Sequence, residues 1–306
     1  MPASELPPQL FDRTVLRLRR DRAAPRLQDY SFIAQRAFED MCDRVESITR
    51  DFDRAAILGG GPGRVQQLTQ RHAAEKIGWW MQSDLSEGVA RTLGARACAI
   101  DEEALPFKPQ SLDLILAPLS LHWTNDLPGV IKQIQLALKP DGFFAGAVLG
   151  GQTLTELRRS IMLAENELAG GVSPRISPFA GTFDMAALMQ RAGLTMPVCD
   201  IDRVTVRYDH AFALMADLRG MGETSVLSER ARKPASRRLF QRAAELYQLN
   251  HADADGRIRA TFEIIHFAGW APHPDQPKPK RPGSATHSLA EALGSEEVSL
   301  GEKAGR

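Results

Sequence analysis

The chain reads as an α/β domain with helices on both faces of a mostly parallel sheet. Three observations give that expectation. Short apolar runs alternate with helical periodicities through residues 51–150, as in strands joined by crossover helices. The run Arg54-Ala-Ala-Ile-Leu-Gly-Gly-Gly-Pro-Gly63 passes from a buried strand through a glycine turn into a helix start. Two later strands end in acidic residues, Asp84 and Asp101. An open parallel sheet places those at the same rim as the glycine turn.

Taken in order, residues 1–10 are Pro-rich and expected to be loose. Residues 11–22 alternate basic and apolar side chains. They read as a solvated helix covering the domain edge; the sharper alternative is a basic lid that meets an acidic partner or substrate. Tyr30, Ile33, Ala37, Phe38, Met41 and Val45 recur at helical spacing and predict an amphipathic helix. Strands are expected at 55–58, 77–84, 97–100, 112–117 and 143–149, with a helix at 128–138 stopped by the turn Lys139-Pro-Asp-Gly142. Beyond Gly150-Gly151, helices are expected at 153–168, 184–192, 212–218 and 237–249, and alternating strands at 198–208 and 259–267. The organisation is then an N-terminal lid segment (1–50), a core (51–150), lid or substrate insertions with the last strands of the same domain (151–270), and a Pro/Lys-rich tail (271–306) expected to be disordered.

Composition excludes several classes. Of 306 residues, 43% are hydrophobic and 25% charged, ordinary for a globular chain. Lys+Arg and Asp+Glu balance at 38 each, so nothing global argues for nucleic acid or an anionic membrane. No apolar run is long enough to span a bilayer. The N-terminus mixes Glu5, Asp12 and Asp21 with its arginines, unlike a secretory or transit peptide. Cys42, Cys98 and Cys199 are far apart and form no C-x-x-C, which suits a reducing, cytoplasmic setting and no structural zinc.

The glycine turn suits a nucleotide-like ligand, because glycines let ligand atoms approach the backbone and a helix N-terminus points N–H groups outward. Gly59, Gly61 and Gly63 are the candidate contacts. A dinucleotide fingerprint requires a third glycine in the next turn, and Arg64, Val65 and Gln66 stand there instead. Pro62 also lacks an amide for a pyrophosphate. That leaves a nucleoside-type cofactor such as S-adenosylmethionine (SAM). Asp84, next to Leu85, can accept both ribose hydroxyls; the plainer reading is a helix N-cap. Asp101, followed by Glu102, can accept an exocyclic amine. His122 and Trp123 follow the fourth strand, where a transferred group would lie; packing is the plainer reading. The nearest approach to a two-His-one-carboxylate metal site is His251, Asp253 and His266, set in a turn before a strand, and no metal is expected. No catalytic residue is identified.

Leu58-Gly-Gly-Gly-Pro-Gly63, Asp84, Asp101 with Leu105-Pro-Phe107, Asp113-Leu-Ile-Leu and Leu138-Lys-Pro-Asp-Gly142 together resemble class I SAM-dependent methyltransferases, in the branch of malonyl-ACP O-methyltransferase. The flanks extend the likeness over nearly the whole chain. Phe11-Asp-Arg13, Leu121-His-Trp-Thr-Asn-Asp-Leu-Pro128, Ser173-Pro-Arg-Ile-Ser-Pro-Phe179, Asp217-Leu-Arg-Gly-Met-Gly-Glu223 and Gly283-Ser-Ala-Thr286 resemble the mitochondrial complex I assembly factor 5 family and its bacterial relatives. The resemblance implies a Rossmann-like sheet closed by an antiparallel hairpin, SAM as cofactor, and an iron–sulfur subunit of complex I as client. It also implies either methyl transfer or arginine hydroxylation. One departure bears on affinity. The family's acidic residue two positions before the first glycine is Ile57 here. Losing that charge-assisted hydrogen bond costs about 1.5–3 kcal/mol, roughly ten- to a hundredfold in affinity. Three readings follow: methyl transfer from SAM, in which a carboxylate acceptor needs no general base; a client-binding assembly factor with or without hydroxylation; and a non-catalytic module that docks through Arg17, Arg19, Arg20 and Arg22.

Overall fold

The computed structural model describes residues 9–178, 181–230, 235–277, 284 and 286–295. In chain order the elements are α1 (Arg13–Ala23), α2 (Phe32–Ser47), β1 (Phe52–Leu58), α3 (Arg64–Thr69), β2 (Ile77–Asp84), α4 (Glu87–Ala90), β3 (Ala97–Ala99), β4 (Leu112–Pro118), α5 (Leu127–Ala137) and β5 (Leu138–Leu149). Then follow α6 (Thr155–Ala169), α7 (Thr182–Ala192), β6 (Thr195–Tyr208), α8 (Ala211–Gly220), α9 (Arg237–His251), β7 (Ile258–Trp270) and α10 (Leu289–Leu293). One sheet holds all seven strands in the order β3-β2-β1-β4-β5-β7-β6. Pairings among β1 to β5 are parallel, and β7 runs antiparallel to both β5 and β6. The order reverses between β1 and β4. There the connections leave in opposite directions and a crevice opens outside the strand ends.

The strands read as nearly continuous apolar runs because both faces are covered. Every residue of β4 is buried. Side chains alternate between two cores, as the strand period of two requires. Ile57, Leu114 and Leu116 join Phe38, Met41, Leu157 and Phe262 on one face. Ala56, Leu58 and Ile115 join Ile131, Ile134 and Met189 on the other. The glycine turn sits between these cores, held in place by strands that cannot shift register without exposing one set.

Two expectations change. Lys139-Pro-Asp-Gly142 is not a turn that precedes the strand; it lies within β5. The Asp141 N–H donates to the Ala271 carbonyl at 3.1 Å, and the Ala271 N–H donates to Gly142 at 2.8 Å. The chain beyond β7 therefore pairs with this segment, a contact no local signal carries. Helix α1 is also not simply solvated. Leu16, Arg20 and Ala23 form its buried stripe, so an arginine occupies a position that amphipathic spacing reserves for the interior.

Met1–Pro272 form one compact unit and His273–Arg306 a second. Within the second, α10 is a short helix; residues 278–283, 285 and 296–306 of the expected tail lie outside the described residues, as do residues 1–8 and Phe179. No helix among the described residues is long and apolar enough to cross a membrane.

Candidate functional site

The glycine turn leaves β1 with Gly59, Gly60, Gly61 and Gly63 all at positive φ, between +72° and +86°. The shape is imposed by close neighbours as well as by conformation. A Cβ at Gly59 would stand 2.4 Å from Ser120 Cβ, and one at Gly60 would stand 2.4 Å from Pro118 Cγ. Two polar side chains pin the turn. Gln82 Nε2 donates to the Gly61 carbonyl at 3.0 Å, and Ser120 Oγ donates to the Leu58 carbonyl at 2.8 Å. Gly63 ends the turn as the N-cap of α3. Arg64, the next residue, is buried; its Nε and Nη1 have no hydrogen-bond partner among the described residues. Burial lowers its pKa to about 10.

Asp84 ends β2 and is 1% exposed. It does not cap α4; Ser86 does, accepting from the Val89 N–H at 3.0 Å. Asp84 instead meets a guanidinium of its own chain. Arg20 Nε donates to Oδ1 at 2.9 Å and Nη2 to Oδ2 at 2.5 Å, while the Ser86 N–H donates to Oδ1 at 3.0 Å. Burial disfavours the Arg20 cation, but Asp84 and then Glu223 outweigh that and raise its pKa. Arg13, two turns earlier on the same face of α1, pairs with the carboxylates beyond β3 in the same way. Its Nη2 donates to Asp101 Oδ1 at 2.6 Å and to Glu102 Oε2 at 2.5 Å. Glu102 is buried, and burial pushes its carboxyl up despite Arg13. Asp101 stays partly open. Leu85 packs with Phe11, Leu16 and Trp123 in a small cluster under α1.

Beside this crevice lies a cavity of about 1060 Å³, walled by Leu119, Leu154, Leu157, Phe212, Met221 and Phe262 among others, and bordered by Gly60 and Gly61. Its charged lining holds Glu223 and Asp12 together with arginines, among them Arg19, Arg20, Arg175 and Arg219. The Trp123 indole N–H donates to Glu223 Oε2 at 2.7 Å, and His122 Nε2 lies 3.1 Å from the same oxygen. Glu223 Oε1 lies 3.9 Å from Arg20 Nη1. Burial pushes the Glu223 carboxyl up, but His122, Arg20 and the Trp123 N–H outweigh it, and the net value falls below the ordinary one. His122 and Trp123 thus line the cavity and hold its carboxylate. His251, Asp253 and His266 do not converge. Asp253 pairs with Arg207 and Arg259, and His266 Nδ1 lies 3.2 Å from Asp40. Among the described residues no group of three or more His, Cys, Asp or Glu is placed to hold a metal ion.

Residues 57–146 match the family model described as a methyltransferase domain. The chain is 38% identical over 289 residues to the protein named arginine-hydroxylase NDUFAF5, mitochondrial, of Danio rerio, covering 92% of this chain and 89% of that protein. It belongs to the NDUFAF5 family. The malonyl-[acyl-carrier protein] O-methyltransferase of Laribacter hongkongensis is similar at 29% identity, covering 85% of this chain and 90% of that one. The fold is that of the YcgJ protein from Bacillus subtilis, with a TM-score of 0.52, 14% identity and cover of 78% and 99%.

SAM is the cofactor of the methyltransferase domain in this NDUFAF5-family chain. The residues present fit it in part. The turn is a cradle in which Ser120 and Pro118 leave no room for a Cβ at Gly59 or Gly60, two carboxylates stand near the strand ends, and the Arg64 guanidinium beside the turn has unpartnered nitrogens among the described residues. The methionine-end acid is absent. Ile57 is wholly buried between Gln82 and Leu116, and it packs in the core. Sequence reasoning missed Gln82 and Glu223 as site residues and placed Arg20 on a docking surface. The Arg20–Asp84 pair is separated by 64 residues, and no spacing rule signals it.

Proposed function

We propose that this chain modifies an arginine side chain of a protein client, with SAM in the crevice beyond β1 and β2 and the arginine in the adjoining cavity. The observation that carries the reading is Glu223. One of its oxygens is held by Trp123 and His122, while the other faces a guanidinium, that of Arg20. A fixed carboxylate in a largely apolar cavity suits a planar, forked cation, and Arg20 is the one that meets it among the arginines of the lining. The name of the Danio rerio relative supports arginine as the acceptor. In this reading Asp84 accepts the ribose hydroxyls and Asp101 the adenine amine, with Glu102 behind it. Gly59, Gly61 and Gly63 admit the cofactor close to the backbone, and Leu85 supports the rim. The client is an iron–sulfur subunit of complex I, met in the cytoplasm at the membrane periphery.

Methyl transfer is the second reading, favoured by the match of residues 57–146 to the methyltransferase domain. The reactions draw on different reagents and leave different marks: hydroxylation takes one oxygen atom from dioxygen, with two electrons from an external reductant and the second oxygen leaving as water, whereas methylation takes the methyl group from SAM, releasing SAH and a guanidinium proton. Complex I subunits from cells with and without this chain would be compared by mass spectrometry. The proposal predicts one client arginine that carries an added oxygen or an added methyl group only when the chain is present, and the added atoms distinguish the two reactions. Identical arginines in both samples would overturn it.

A further inference from the structure

We propose that Arg20 is an internal competitor for the cofactor: it occupies the carboxylate that the ribose requires, and SAM is admitted as its guanidinium moves from Asp84 to Glu223. The inference rests on the proposed reading of Asp84 as the ribose acceptor.

The argument starts from lone pairs. A carboxylate offers about four acceptor sites. Arg20 and the Ser86 N–H take two on Oδ1, and Arg20 takes one on Oδ2. Two vicinal hydroxyls need two acceptors, and one is left. The pair is buried, with Arg20 8% and Asp84 1% exposed, so the ribose must displace a guanidinium and not water. A buried arginine cannot simply be released, because an unpaired buried charge is costly. Glu223 removes that obstacle. Its Oε1 is already 3.9 Å from Arg20 Nη1, so the guanidinium can change carboxylates without ever being unpaired.

The helix itself need not move. Asp21 Oδ1 accepts from Ser86 Oγ at 2.5 Å and from the Gly88 N–H at 3.0 Å, and Leu16 packs with Leu85. These contacts keep α1 on the β2–α4 connection while one long side chain rotates. The device also explains a departure from amphipathic design. An apolar residue at position 20 would complete the stripe of Leu16 and Ala23 without competing for Asp84. Once Arg20 rests on Glu223, both charges stay compensated while the ribose holds Asp84.

The test is calorimetric titration with S-adenosylhomocysteine (SAH) of the wild type, Arg20→Gln, Glu223→Gln and the double variant Arg20→Gln/Asp84→Asn. Arg20→Gln should bind about tenfold more tightly, since one charge-assisted competitor is gone. Glu223→Gln should bind more weakly, because the displaced guanidinium loses its second seat, and the double variant should lose binding. Equal or weaker binding by Arg20→Gln, with binding still lost in the double variant, would overturn the competitor while leaving Asp84 as the ribose acceptor. Binding that survives in the double variant, or fails in every protein, would overturn the crevice reading and the competitor with it. Should Arg20→Gln not fold, the Arg20 Nε–H resonance of the wild type gives the answer. It should shift on addition of SAH; an unmoved resonance in a saturated sample would overturn the proposal.

Discussion

Replacing Gly60 by alanine separates the two reasons for glycine in the turn. The backbone there is at φ +80°, and the new Cβ would stand 2.4 Å from Pro118 Cγ and 3.2 Å from the Pro118 carbonyl oxygen. Left-handed backbone costs an alanine roughly 1–2 kcal/mol, and forcing a methyl into packed surroundings adds roughly 1–3 kcal/mol. The expected destabilisation is about 2–5 kcal/mol, a fall in Tm of roughly 5–15 °C for a domain of this size. Pro118 is a ring at the end of a buried strand and cannot swing aside as a long side chain would. Gly94 provides the control. Its φ is +94°, and a Cβ there would meet nothing within 4 Å, so Gly94→Ala should cost only the backbone share, roughly 1–2 kcal/mol. Urea denaturation of both variants measures the difference directly, and SAH affinity should fall in Gly60→Ala alone. If the two variants agreed within about 0.5 kcal/mol, the turn would not be pinned against Pro118 and the cradle argument would fail.

Further predictions concern the core and the pairs around it. Burial pushes the Asp40 carboxyl up, but His266 and Arg44 outweigh it and hold it at about 2, below the ordinary 3.8. Its contribution to stability should be complete above that ordinary value and lost as pH falls towards about 2. Asp40→Asn should flatten the acid limb of the stability profile, and an unchanged limb would contradict the pairing. Phe38→Ala empties a wholly buried site on α2 and should cost about 3–5 kcal/mol in chemical denaturation, with the SAH affinity of the folded protein unchanged. Ile57→Asp buries a carboxylate among Leu116 and the α2 side chains, and should destabilise the free protein by roughly 3–5 kcal/mol. SAM should then raise the Tm of Ile57→Asp more than that of the wild type, because its ammonium supplies the missing partner; equal shifts would refute that placement.

The sheet was legible because its signals are local. Residues 77–84 are an apolar run bounded by polar turns, and β2 spans the same residues. The pairing of 198–208 with 259–267 came from family resemblance, and the structure shows it antiparallel. What local reading could not see depends on distant partners. Lys139-Pro-Asp-Gly142 has turn composition, yet Ala271 draws it into the sheet. Asp84 ends β2 as expected and Asp101 lies two residues beyond β3, but arginines from α1 pair with both. Helical periodicity identifies which face of α1 is buried. It does not say that an arginine on that face will find a carboxylate 64 residues later. Glu223 shows the same limit: its neighbours His122 and Trp123 were candidates by position, while the acid they hold lies about a hundred residues on.

The most direct measurement is calorimetric titration of SAH into the wild type and Asp84→Asn. The account predicts saturable binding by the wild type and its loss in Asp84→Asn, with both proteins folded by circular dichroism. Equal affinities would contradict it, because the ribose would then not rest on the carboxylate at the end of β2.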